Sequence, residues 1–263
     1  MPSLSDHQSS RSTKLLLLGD SGSGKTGALT SLVEAGYTLR IIDMDNGLDP
    51  LVAHIRKKCP AKIGNVQYET LRDKVKGAQP DRISYVGTPD AFTKAMKLLD
   101  KWSDGTVPAQ WDSRTVLVLD SLTHFGNAAF AWAMAMNPGS KEPRQWFFSA
   151  QRAVEGAIAL LTSEHFAPNV IVSAHIQYQQ LDEGTTRGFP NAVGQALGSK
   201  LMSYFNNAVQ VERKGSGSSV KREIVTVPTA MVDLKNPAPF SIPPRMDIDS
   251  GLATFFAHAR GEK

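Results

Sequence analysis

Cysteine is almost missing from this chain: Cys59 is the only one in 263 residues. No internal disulfide can form, which excludes the small disulfide-stapled scaffolds and suits a reducing compartment. Also missing is any apolar run long enough to span a membrane or to serve as the core of a secretory signal. The expectation is a soluble, cytoplasmic protein with no membrane partner. A strong charge of either sign is absent too. Lys and Arg number 29 against 25 Asp and Glu, a net charge of +4 with a pI near 9.1. That permits an anionic partner without demanding one, and it is far from the charge of a histone-like protein. No repeat of solenoid length is present. What remains is an ordinary globular balance, 41% hydrophobic and 21% charged, enough for one large or two small domains. The first 13 residues, MPSLSDHQSSRST, are polar and read as a flexible tail.

The most specific stretch is GDSGSGKT at 19–26. It fits G-x-x-x-x-G-K-[ST], with Gly19, Gly24, Lys25 and Thr26 at the fixed positions. KLLLL before it has the all-apolar character of a buried strand, and the residues from Gly27 to Ala35 are helix-compatible, with Gly36 placed to end the helix. A strand–loop–helix of this kind directs backbone N–H groups and a helix N-terminus at phosphate. The expected cradle runs from Gly19 through Asp20, Ser21, Gly22, Ser23, Gly24, Lys25 and Thr26 to Gly27, with ATP as ligand. Lys25 supplies charge to the outer phosphates, and Thr26 a hydroxyl to Mg²⁺.

Hydrolysis needs a second anchor for the ion and a group that positions water. TVLVLDS at 115–121 reads as a buried strand ending in Asp120, the expected partner of Thr26 at Mg²⁺. LRIIDMDNG at 39–47 ends in two carboxylates, Asp43 and Asp45, which strand alternation puts on one face. Asp45 is the favoured water-activating residue; the competing reading is that one or both carboxylates cap the turn at Asn46-Gly47. NVIVSAHIQ at 169–177 ends at His175, a candidate γ-phosphate sensor. All these candidates lie at strand carboxyl ends, where open parallel sheets gather ligands.

In this order the motifs resemble the ATPase core of RecA/RadA-type recombinases, and in particular the short RecA-like proteins of bacteriophages, some of which act as single-strand annealing proteins. GDSGSGKT, VLVLDSLTHF, VIVSAHI and VDLKNPAPF at 232–240 carry the resemblance, which spans about residues 14–240. It implies an α/β fold: a mainly parallel central sheet with helices on both faces and an antiparallel extension over 207–235. It also implies a RecA-like ATPase domain at 14–245 and a tail at 246–263 with a short helix. His175 stands where the family usually has a Gln linking γ-phosphate to a DNA-binding loop. Lys235 matches a lysine that reaches a neighbouring subunit's ATP. Two departures stand out. Asp45 falls where the family normally has Glu, and no separate assembly domain precedes the first strand. The implied partners are single-stranded DNA and further copies of the chain in a ring or filament, with a single-stranded-DNA-binding protein as a candidate. A phage protein would work in the host cytoplasm.

The resemblance implies DNA contact in the loop after the sensor strand. QYQQLDEGTTRGFPNAVGQALGSK at 177–200 holds four glycines. Tyr178 and Phe189 could stack on bases, and Arg187 and Lys200 could meet phosphates. The alternative is a long polar surface loop. A hairpin is expected at VQVERK-GSGSS-VKREIVTV, with Arg213, Lys214, Lys221 and Arg222 near its tip as a second phosphate contact, or as a solvated tip balanced by Glu212 and Glu223. Lys141 and Arg144, in the turn NPGSKEPRQ, read as solvated. The segments 88–102 and 145–163 read as packing helices, and Trp132 and Trp146 as packing residues. Two other functions share this core: a ring-forming helicase-type motor, and a P-loop small-molecule kinase or ATP-dependent switch.

Overall fold

The computed structural model describes residues 12–79, 82–139, 142–181 and 184–261. Lys141 and the first 11 residues of the expected tail lie outside these. The strands are β1 (Lys14–Leu18), β2 (Thr38–Asp43), β3 (Val66–Thr70), β4 (Val75–Gln79), β5 (Arg82–Tyr85), β6 (Thr115–Asp120), β7 (Asn169–Ala174), β8 (Ile176–Gln180), β9 (Thr186–Pro190), β10 (Asn207–Lys214), β11 (Lys221–Val225) and β12 (Arg245–Asp247). The helices are α1 (Lys25–Ala28), α2 (Thr30–Glu34), α3 (Asp49–Lys58), α4 (Ala91–Asp100), α5 (Leu122–Met136), α6 (Pro143–Thr162), α7 (Gln195–Tyr204) and α8 (Gly251–Ala259).

The main sheet has eight strands in the order β12-β11-β10-β1-β7-β6-β2-β3. From β3 through β10 every pairing is parallel; β11 and β12 add on antiparallel. This places β7 between β1, which feeds the glycine-rich loop, and β6, which ends in Asp120. The strands β1, β6 and β7 are buried at every position, and mostly apolar, because both sheet faces are covered. Strand alternation divides them: Leu16, Leu18, Leu117, Leu119, Val170 and Val172 enter one core with α4, α5, α6 and α7. Leu15, Leu17, Val116, Val118, Ile171 and Val209 enter the other, with residues of α2, α3 and α8.

Several boundaries differ from the sequence reading. Ser12 and Thr13 are buried, and Asn169 Oδ1 accepts the Thr13 N–H at 2.9 Å, so the tail does not reach residue 13. The antiparallel extension does not begin at 207, because β10 lies parallel to β1. It begins at β11 and ends with β12 at 247, beyond the expected 235. The described part of the expected 246–263 tail, 246–261, packs on the body of the chain. Leu252, Phe255 and Phe256 are fully buried, and Phe256 meets Tyr37 edge-to-face at 5.6 Å. The 177–200 stretch is a β8–β9 hairpin followed by α7, not an irregular loop. The helix expected at 88–102 starts at Ala91, where Asp73 Oδ1 accepts the Asp90 and Ala91 N–H groups and so caps it from a distance. Trp132 packs against Phe92, in keeping with a packing role.

A candidate nucleotide site at the strand ends

β1 ends at Leu18 and the chain turns through 19–24 into α1. Gly24 sits at φ 109°, a conformation that only glycine adopts readily. The Lys25 ammonium is buried and donates to the Gly19 and Asp20 carbonyls at 2.8 and 3.1 Å, folding back over its own loop. Burial lowers its pKa, opposed by the Asp120, Asp45 and Asp20 carboxylates.

Thr26 Oγ1 donates to Asp120 Oδ2 at 2.8 Å, and the Ser173 hydroxyl donates to Oδ1. Burial pushes the Asp120 carboxyl up, while these two hydroxyls favour the anion. The pair is a set of hard oxygen donors at the mouth of the loop, the ligand type Mg²⁺ takes alongside phosphate and water. Among the described residues no cluster of three or more His, Cys, Asp or Glu could hold a metal by protein side chains alone.

Asp43 and Asp45 do different things. Asp43 is buried; its Oδ1 accepts the Asp45 and Gly47 N–H groups and its Oδ2 the Thr70 hydroxyl. It caps the turn after β2. Asp45 instead reaches the far side of β6. Its Oδ1 accepts the Ser121 N–H at 3.0 Å and the Ser121 hydroxyl at 2.8 Å, and His124 Nδ1 lies 2.8 Å away. The His124 contact is a charge pair at hydrogen-bond length rather than an aligned hydrogen bond. Burial raises the Asp45 pKa, but His124 and Ser121 outweigh it, so the carboxyl stays below its usual range. The Asp45 carboxylate holds the His124 imidazole above its usual range. His175, just past β7, has its Nε2 4.0 Å from Asp45 Oδ2, and burial and Lys25 lower its pKa.

Lys25, Thr26, Asp45, Asp120, His124 and His175 all line one cavity of about 880 Å³. A second wall comes from Val220–Glu223 at the start of β11 and Asp247–Asp249 at the end of β12, with His54 of α3. Arg222 and Ile248 crowd Gly24 so closely that a Cβ there would lie 3.0 Å from Arg222 Cδ and 2.9 Å from Ile248 Cδ1. Sequence reasoning placed Lys221 and Arg222 at a hairpin tip, not in this cavity, and it gave no role to Ser121, His124, Ser173 and Ile248. Ser121 and His124 follow Asp120 in the same motif and were open to reading; Ile248 carries no local signal.

The other expected residues lie elsewhere. Lys235 donates to the Met202 and Phe205 carbonyls at 2.6 and 2.9 Å, so its ammonium closes the C-terminal end of α7 within its own chain instead of projecting outward. Arg187 Nη2 donates to both Asp233 carboxylate oxygens at 2.9 and 2.8 Å, and Lys214 pairs with Glu212 and Glu223 at 3.3 and 3.7 Å, so both cations already have partners within the chain. Tyr178, Lys200 and Arg213 are exposed and Phe189 is half-buried. Tyr178 and Arg213 share a smaller cavity of about 320 Å³ with Asp20, Ser21 and Ser23, which contains neither Lys25 nor Asp120.

The glycine-rich loop, the Thr26–Asp120 pair and the strand order define a P-loop ATPase of RecA-like fold. A family model described as "AAA domain" matches residues 11–238, and the chain belongs to that family. Solved structures with a similar course include a KaiC-like protein, PH0186, from the hyperthermophilic archaeon Pyrococcus horikoshii OT3 (13% identity, 81% of this chain and 77% of that one, TM-score 0.40). The RadB recombinase aligns at 16% identity over 81% of this chain and 79% of its own, TM-score 0.43. The flagellar accessory protein FlaH from Methanocaldococcus jannaschii aligns at 9% over 89% and 83%, TM-score 0.43. No curated protein matches. Among the described residues no helix is long and apolar enough to cross a membrane.

Proposed function

We propose that this chain is an Mg²⁺-dependent ATPase whose turnover is stimulated by single-stranded DNA and that it promotes DNA annealing or recombination as an oligomer, in the manner of the phage RecA-like proteins it resembles. The observation that carries the ATPase part is the Thr26–Asp120 hydrogen bond of 2.8 Å in the cavity that also holds Lys25 and Asp45. Thr26 and Asp120 would hold the ion, which neutralises phosphate charge when bound. Lys25 turns from its loop carbonyls to the outer phosphates. Asp45 presents Oδ2 to water: a carboxylate kept ionised orients a nucleophile well and accepts its proton poorly. His175 follows the strand between β1 and β6 and continues into the β8–β9 hairpin, so a change at the γ-phosphate has a short covalent route to that hairpin.

For DNA the proposal rests on the exposed Tyr178, Lys200 and Arg213, with Phe189 as a secondary contact. Lys235 and Arg187 are not part of it, because both are engaged within the chain. The test is fluorescence anisotropy of a labelled oligonucleotide with a non-hydrolysable ATP analogue. Binding that weakens in Tyr178→Ala and Arg213→Ala supports the reading. No binding up to high micromolar protein contradicts the DNA part and leaves the kinase or switch reading, to be separated by screening small-molecule phosphate acceptors.

A further inference from the structure

Asp45 lies on a loop past the end of β2, where a lone carboxylate would swing between rotamers. It does not stand alone. Three groups from the start of α5 converge on its Oδ1: the Ser121 N–H and hydroxyl donate to it at 3.0 and 2.8 Å, and the His124 imidazole pairs with it through Nδ1 at 2.8 Å. Oδ2 is left toward the cavity, with His175 Nε2 at 4.0 Å. The two imidazoles stand edge-to-face at 6.3 Å, His124 nearest Oδ1 and His175 nearest Oδ2. The groups that set the charge around His124 are Asp45, Asp120 and His175 from the strand ends and Arg72 from beyond β3. Next to it, the Thr123 hydroxyl accepts the His175 N–H at 3.2 Å and donates to the Asn191 carbonyl at 3.0 Å. The first turn of α5 thus fixes both the carboxylate and the backbone at His175, between β7 and β8.

We infer that His124 is a positioning residue for hydrolysis: it pins Oδ1 of Asp45 against Ser121, so that Oδ2 alone is presented to the attacking water. The inference rests on the proposed role of Asp45 and adds a residue that the P-loop and strand-end motifs do not include. Its physical basis is geometric. Holding a water-orienting oxygen in one place removes orientational freedom from the reacting pair, and small misplacements at such a point are costly in rate. His124 acts through Asp45 and not on the reacting atoms, so its loss should act on kcat and spare nucleotide affinity.

The experiment compares His124→Ala, His124→Asn and Asp45→Asn in the full-length chain, each checked for folding by thermal melting. Steady-state hydrolysis gives kcat and KM, and a fluorescent ATP analogue gives affinity. His124→Ala should lose roughly 10- to 100-fold in kcat with affinity within about twofold. His124→Asn should recover most of the rate, because its side-chain amide reaches the place of Nδ1 and restores a donor to Oδ1. Adding His124→Ala to Asp45→Asn should cost nothing further, since the histidine acts through that carboxylate. If His124→Ala does not fold, His124→Asn against His124→Gln decides. The Gln amide reaches the place of Nε2, so it should fail where Asn succeeds. Wild-type turnover in His124→Ala, equal impairment of the Asn and Ala or the Asn and Gln variants, or an additive double variant would overturn the inference while leaving Asp45 in place. Wild-type turnover in Asp45→Asn would instead remove the proposed role of Asp45 itself.

Discussion

The nucleotide cavity has two walls with different origins. One is made of the glycine-rich loop and the ends of β2, β6 and β7, where each residue follows directly from a buried strand. The other is made of Lys221, Arg222 and Glu223 with Asp247, Ile248 and Asp249, brought there only because β11 pairs with β10 and β12 with β11. The first wall carries the groups suited to chemistry. The second offers Arg222 and Ile248 over Gly24 and hangs on a C-terminal helix whose aromatic residues are core. Local pattern can specify a reacting group, whereas the surface that closes around it depends on long-range pairing.

Substitutions should separate the walls. The largest effect belongs to the first. Lys25→Ala and Asp120→Asn should each lower kcat by roughly 100- to 1000-fold, the scale of losing one preorganised charge contact to transferring phosphate, checked by steady-state hydrolysis. Next comes the support of the second wall. Phe256→Ala removes a fully buried ring facing Tyr37 and should cost about 3–5 kcal/mol in stability, read from denaturant unfolding; a true tail would show no change. Smaller still, Arg222→Ala should weaken nucleotide binding about three- to tenfold with kcat nearly unchanged. Equal losses in kcat would put Arg222 among the reacting groups and erase the distinction. Lys235→Ala gives up two bonds to carbonyls at the end of α7 and should cost about 1–3 kcal/mol in stability while folded protein hydrolyses normally.

The subtlest effect is on pH. His124 has its pKa raised in the folded chain, so its contribution is full below the ordinary histidine value and fades as pH rises through the folded one. Asp45 is depressed, so its share is present above the ordinary carboxylate value and fades as pH falls through the folded one. Their pairing therefore stabilises the site between the two folded values. In an NMR titration the His124 midpoint should lie above the usual histidine range and fall in Asp45→Asn.

The parallel core was legible because KLLLL, TVLVLD and NVIVSA each hold an unbroken apolar run of three or four residues, which a sheet covered on both faces accommodates. Lys25, Thr26 and Asp120 were legible because the phosphate loop has fixed spacing and Asp120 ends a buried strand. The alternation argument for Asp43 and Asp45 failed because β2 ends at Asp43 and the turn beyond it has no period of two. The hairpin at 176–190 hid behind its glycines, one of which, Gly188, lies buried against Ile176, Tyr178 and Val232. Arg187 and Lys235 looked like free cations because their partners, Asp233 and the carbonyls of 202 and 205, meet them only after folding. For the same reason α8 looked like a tail: its burial depends on packing against Tyr37 and the outer sheet face, which GLATFFAHA cannot announce alone.

The most direct measurement is steady-state ATP hydrolysis with and without single-stranded DNA, in the presence of Mg²⁺, with Lys25→Ala as the blank. The account predicts turnover that rises several-fold with DNA and disappears in Lys25→Ala. Turnover that ignores DNA would contradict the DNA-stimulated function, and turnover that survives in Lys25→Ala would contradict the site itself.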